Sequence, residues 1–109
     1  MIDLLKIGKE INEWALANFG KQVSVLPLLG VMEELGELTH CHLKTEQGIR
    51  GTSEEHEIDG QDAVGDLMVY LLNYCHIKGW NIEEILEKTW GEVKQRDWVK
   101  YPKTGFPPE

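Results

Sequence analysis

The stretch "SVLPLLGVMEELGELTHCHLK", residues 24–44, decides how the rest of the chain is read. On a helix turning about 100° per residue, Leu28, Val31, Met32, Leu35 and Leu38, with Thr39, fall on one side. Glu33, Glu34 and Glu37 fall within one arc on the other, and Gly30 and Cys41 share that arc. Ser24 suits an N-cap, and Pro27 is tolerated in a first turn. The stretch is therefore expected to form a helix with two unlike faces. A solvated face would more often carry Lys, Gln or Arg. Small residues beside the glutamates suggest instead a face that something approaches closely. The plain alternative is a glutamate stripe turned to water.

Working outward, a first helix is expected over about residues 2–19, where Leu4, Ile7, Ile11, Trp14 and Ala15 recur with helical spacing and Gly20 offers a C-cap. Residues 45–57, "TEQGIRGTSEEHE", read as a polar loop. A third helix is expected from about Ile58 to Lys78, stopped by Gly79. A fourth opens at Asn81, with Glu84 at the capping-box spacing, and runs to about Val99. The tail "YPKTGFPPE" is too rich in proline to be regular. The expectation is an all-α domain, an antiparallel four-helix bundle. Its helical core covers about residues 1–101, and residues 102–109 form an irregular tail.

A chain of 109 residues supports a single domain. A domain this small leaves much apolar surface uncovered, so a homodimer or homotetramer is expected. The net charge of −8, from 19 acidic and 11 basic residues, argues against nucleic acid as the main partner. Anionic small substrates remain open, because a divalent metal reverses the local sign. No run approaches the roughly 18 apolar residues of a membrane span. No secretory signal pattern is present, and Cys41 and Cys75 sit in apolar helical patterns. Both read as free buried thiols in a reducing, cytoplasmic setting.

The third helix sharpens the question raised by the glutamates. Its run "LMVYLLNYCHI", residues 67–77, is apolar nearly all round and should be largely buried. At its start stand Asp62 and Asp66, about 40° apart in projection, with Asp59 one turn earlier. Aspartate is a poor helix former and costly to bury, and no Lys or Arg follows before Lys78. Two acidic helices facing each other repel unless protonated or bound to a cation. Carboxylate donors suit Mg²⁺ or Mn²⁺, and Mg²⁺ is usually shared with substrate phosphates.

The sequences "EELGE" (Glu33–Glu37) and "DAVGD" (Asp62–Asp66), the latter leading into "LMVYLL", resemble the MazG-like all-α nucleoside triphosphate pyrophosphohydrolases. Their signature is EExxE on one helix and ExxD on the next. The resemblance runs from the first helix to "VKQRDWVKYP". It matches the first half of the signature fully and departs in the second, where Ala63 stands in place of Glu. The resemblance implies Glu34, Glu37 and Asp66 as Mg²⁺ ligands, with Asp62 in the missing ligand's role. Glu33 would orient a ligand, help hold a second metal or take a proton from water. The implied reaction is hydrolysis of a nucleoside triphosphate at the α-phosphorus, releasing the monophosphate and pyrophosphate.

Phosphates need cations, and Lys44, Arg50, Lys94, Arg96 and Lys100 are candidates, although cations near a helix C-terminus also complement its dipole. A base would need an apolar slot with a few polar groups, for which Trp14, Asn12 and Asn73 are candidates. Trp14 reads first as a core residue, and His42 falls on the apolar side as a packed histidine; His56 and His76 have no evident partner. Two rivals stand beside the hydrolase. One is a non-catalytic acidic helical dimerisation or interaction module. The other is a di-iron carboxylate protein, suggested by Glu37-x-x-His40 but needing a second such element.

Overall fold

The computed structural model describes residues 2–109, and its regular structure is entirely helical: α1 (Leu4–Phe19), α2 (Val25–Gln47), α3 (Ser53–Lys78) and α4 (Ile82–Val93). Short polar side chains set the helix starts. Asp3 accepts from the Lys6 N–H, Thr52 from that of Glu55 and Asn81 from that of Glu84, each at 3.1 Å. Ser24 precedes α2 without a side-chain cap bond. Gly20, Gly48 and Gly79 end the first three helices with positive φ.

The long loop expected over residues 45–57 is much shorter. Residues 45–47 belong to α2 and residues 53–57 to α3, leaving 48–52 as the connection. The reason is local: Thr52 and Glu55 have the capping-box spacing, so the charged run "SEEHE" begins a helix. The buried His56 ring ties this connection down by donating from Nε2 to the Ile49 carbonyl at 2.9 Å. At the other end, α4 stops at Val93, short of the expected Val99, and turns follow.

α3 is the central element, with α2 along one side and α1 along another, while α4 packs chiefly on α1. The Leu4 N–H donates to Glu83 Oε1 at 3.1 Å and joins the starts of α1 and α4. The resulting shape is open, with a radius of gyration of 18.0 Å against about 13 Å for a compact domain of about 100 residues.

α2 and α3 run antiparallel in a definite register. The Tyr70 ring lies on Gly30, where an added Cβ would meet it at 2.4 Å. Further along, Glu34 feels the charge of Asp66, and Cys41 that of Asp59. Gly60 lies against Leu38 and Cys41. The small residues of α2 thus admit α3 at close range, and the glutamates come with them. The inward side of α2 is mixed: Val31, Glu34 and Leu38 are half-buried, while Glu33 and Glu37 stay exposed. Leu28, Met32 and Leu35 on the apolar side are 45, 71 and 53% exposed. The core beneath is built mostly of small side chains, with Ala15, Cys41, Ala63 and Cys75 buried beside Pro27 and Leu72. Nor is the apolar run of α3 buried all round, since Met68 and Val69 reach solvent.

Candidate acidic site between α2 and α3

Glu34 is half-buried on the α3-facing side of α2. Burial raises its pKa above the ordinary value of 4.5, and the charges of Asp66, Glu33 and Glu37 raise it further. The Cys41 thiol is likewise pushed up, first by burial and then by Glu37 and Asp59. Together these effects trace a strip of carboxylates along the open edge of the helix pair: Glu33, Glu34 and Glu37 from α2, Asp59 and Asp66 from α3, with only Glu34 half-buried. Among the described residues, no Lys or Arg forms an ion pair with any of them.

Four sequence candidates, Glu33, Glu34, Glu37 and Asp66, therefore come together. Asp62 stays exposed and is not among the charges acting on Glu34. Asp59 is exposed too, and its charge acts on Cys41. Its place on the same side as Asp66 was legible in the sequence, since the two are seven residues apart and project about 20° from each other.

Among the described residues, no three Asp, Glu, His or Cys side chains are gathered so that they could hold a metal ion. The fit to a divalent cation is thus one of donor chemistry and backbone placement. Oxygen donors of the right kind lie on facing helices with no protein cation to neutralise them. Closing three of them on one point requires side-chain rotation among staggered rotamers.

One turn further along the register, Tyr70 leaves the acidic strip and enters a cavity of about 260 Å³. Trp14 and Phe19 from α1, Pro27 from α2, and Tyr70 and Asn73 from α3 line it. Trp14 is 56% exposed and meets Phe19 edge to face, with ring centroids 5.6 Å apart, so it is a wall of this slot rather than core. Asn73 is 4% exposed, and its Oδ1 has no hydrogen-bond partner. An unpaired buried amide oxygen is costly and marks a group with spare acceptor capacity. Asn12 lines a different cavity, of about 380 Å³, together with Lys21 and His76.

The candidate cations are dispersed. Lys44 is half-buried and donates from Nζ to Gln47 Oε1 at 2.8 Å. Lys94 and Arg96 follow α4, which packs chiefly on α1, so helix packing does not carry them onto the α2–α3 strip. Arg96 lies between the Trp98 and Phe106 rings, 5.8 Å from each centroid. His42 is not a packed histidine: its side chain is 78% exposed and stands 3.8 Å from Glu46. Both cysteines are free and buried. No helix among the described residues is long and apolar enough to cross a membrane. Comparison with protein-family models, with curated proteins and with solved structures finds no match to this chain.

Proposed function

We propose that this protein is a Mg²⁺-dependent nucleoside triphosphate pyrophosphohydrolase of the MazG-like type, acting as a homo-oligomer. The observation that carries this reading is the uncompensated opposition of Glu34 and Asp66 beside an aromatic slot lined in part by Asn73, whose buried Oδ1 is unpaired. Glu34, Glu37 and Asp66 would hold the cation, with Asp62 swinging in from its exposed position. Bound Mg²⁺, or Mn²⁺ in its place, would neutralise phosphate charge and polarise a water for attack at the α-phosphorus. Glu33, exposed at the rim, would accept that water's proton.

The slot would take the base. Trp14 and Tyr70 offer aromatic walls, and Asn73 Oδ1 would accept a base N–H. Asn73 and Asp66 are separated by seven residues, about 10 Å along a helix, comparable to the reach from base to phosphate in a nucleotide. Lys44, Lys94 and Arg96 would meet the outer phosphates, the last two in the assembled oligomer.

The test is hydrolysis of a panel of NTPs and dNTPs by the full chain, with and without Mg²⁺. Pyrophosphate release that requires the metal and disappears in Glu34→Gln and Asp66→Asn supports the reading. Inorganic phosphate as the sole product, or turnover indifferent to metal, sinks it. The exposed apolar side of α2 favours one rival, a non-catalytic interaction module, which predicts no turnover with any nucleotide or metal.

A further inference from the structure

Three features follow one another along α3. Asp66 belongs to the acidic strip, and Tyr70 and Asn73 line the aromatic slot. Beyond the slot, His76 and Ile77 line the cavity of about 380 Å³. Asn73 and His76 are one turn apart, so they share a face of the helix. The slot and this cavity adjoin, since Ala15 and Gln22 line both.

The lining of the cavity departs from the composition of the chain. The chain has 19 acidic and 11 basic residues. Yet no Asp or Glu lines the cavity, whereas Asn12, Lys21, Gln22 and His76 all do. Asn12 and Gln22 are half-buried. Among the described residues, none of these four side chains makes a hydrogen bond or an ion pair within the protein. Each carries an N–H donor, and Lys21 adds a full positive charge. Cations near helix C-termini also complement the dipole, but that role requires neither a cavity nor two unpaired amides. Free donors gathered around a positive charge suit an anion.

We infer that this cavity is an anion subsite that holds a nucleoside monophosphate without a metal ion, with the base in the slot and the phosphate against Lys21 and His76. The inference rests on the reading of the slot as the base site. In the absence of a cation, the carboxylates of Glu34 and Asp66 repel a phosphate from one end of the slot. The carboxylate-free cavity at the other end receives it. A bound divalent cation would reverse the sign at the strip. A metal-free monophosphate therefore lies turned around relative to a triphosphate held through Mg²⁺.

The experiment is isothermal titration of the full chain in EDTA with a panel of nucleoside monophosphates, their nucleosides and inorganic phosphate. At least one monophosphate is expected to bind about tenfold more tightly than its nucleoside and than inorganic phosphate. Lys21→Gln is expected to weaken that monophosphate about tenfold and to leave its nucleoside unaffected. His76→Gln, which keeps an N–H donor, is expected to retain most of the affinity that His76→Leu loses. Lys88→Gln makes the same change of charge but lines neither cavity, and is expected to alter nothing. Helical circular dichroism verifies the folding of each variant. A monophosphate that binds no tighter than its nucleoside, that binds only with Mg²⁺, or that ignores Lys21→Gln overturns the inference. Inorganic phosphate held as tightly as the monophosphate overturns it too, by showing that the slot adds nothing. Mg²⁺-dependent pyrophosphate release tests the acidic strip alone, so the two readings fail separately.

Discussion

Glu34 of α2 and Asp66 of α3 face each other across an antiparallel helix pair, and no lysine or arginine among the described residues pairs with either. Sequences usually separate like charges or neutralise them, because two carboxylates sharing a partly buried space disfavour each other's ionisation. Here the approach is permitted by Gly30, which receives the Tyr70 ring, and by Gly60 and Ala63 on α3. Close packing and charge repulsion come from the same residues. Any cation that enters the strip would relieve the second without disturbing the first.

The pH dependence of stability follows from Glu34. Its folded pKa lies above its ordinary value of 4.5, so the native state holds the proton to higher pH than the unfolded chain does. Its contribution to stability is full below that ordinary value and is lost as pH rises through the raised one. Glu34→Gln is therefore expected to match the parent's melting temperature near about pH 4 and to exceed it near about pH 7. Mg²⁺ at neutral pH is expected to raise the melting temperature of the parent but not of the variant. Thermal unfolding across this range checks both, and an unchanged pH profile in the variant would rule out the assignment.

The glycines of the two long helices divide by what surrounds them. A Cβ on Gly30 would stand 2.4 Å from the Tyr70 ring, so Gly30→Ala must push α3 away or displace the tyrosine. A cost of about 1–3 kcal/mol is expected, as for overpacking elsewhere. At Gly65 a Cβ meets nothing within 4 Å. Gly65→Ala is expected to stabilise by up to about 1 kcal/mol through helix propensity alone. Denaturant titration of both variants measures the contrast, and equal effects would mean that the α2–α3 approach at Gly30 is looser than described.

The division of the α2 faces was legible in the sequence, because 100° periodicity separates Gly30, Glu34, Glu37 and Cys41 from Leu28, Met32 and Leu35 without knowledge of the fold. The expectation that these glutamates meet the aspartates of α3 holds for Glu34, whose charge meets that of Asp66, but Glu33 and Glu37 stay exposed and Leu38, expected on the opposite side, lies against Gly60. The start of α3 was obscured by composition. "SEEHE" resembles a solvated loop until Thr52 is recognised as its cap. Asn73 was legible as a candidate by its place on the aspartate side of α3. Its unpaired oxygen depends on neighbours from α1 and α2 and could be found only in three dimensions.

Ala63 tests the metal proposal from the opposite direction. It is 2% exposed in the α2–α3 interface, where the resembled family's signature places a glutamate. Ala63→Glu adds an ionised group beside an already acidic strip, and without metal it is expected to destabilise by on the order of 3–5 kcal/mol, as for a buried charge left without its partner. If the strip holds a divalent cation, Mg²⁺ or Mn²⁺ recovers most of that loss, and metal affinity exceeds the parent's. Calorimetric melting with and without each metal reads both quantities. A loss that no divalent cation reverses would count against a metal between Glu34 and Asp66.

Asn73 gives stability and binding opposite signs. Its buried Oδ1 lacks a partner, so removing the amide relieves an unsatisfied acceptor while keeping side-chain volume. Asn73→Leu is expected to stabilise the free protein by about 1 kcal/mol. The same change leaves a base N–H without its acceptor, and a loss of about tenfold in nucleotide affinity is expected. Trp14→Ala, at the open wall of the slot, is expected to weaken binding with little change in stability, because the ring is already half in solvent. Isothermal titration with a non-hydrolysable nucleotide, run beside thermal melting, separates the two effects. Unchanged affinity in Asn73→Leu would show that the slot does not take the base, even if the acidic strip proves catalytic.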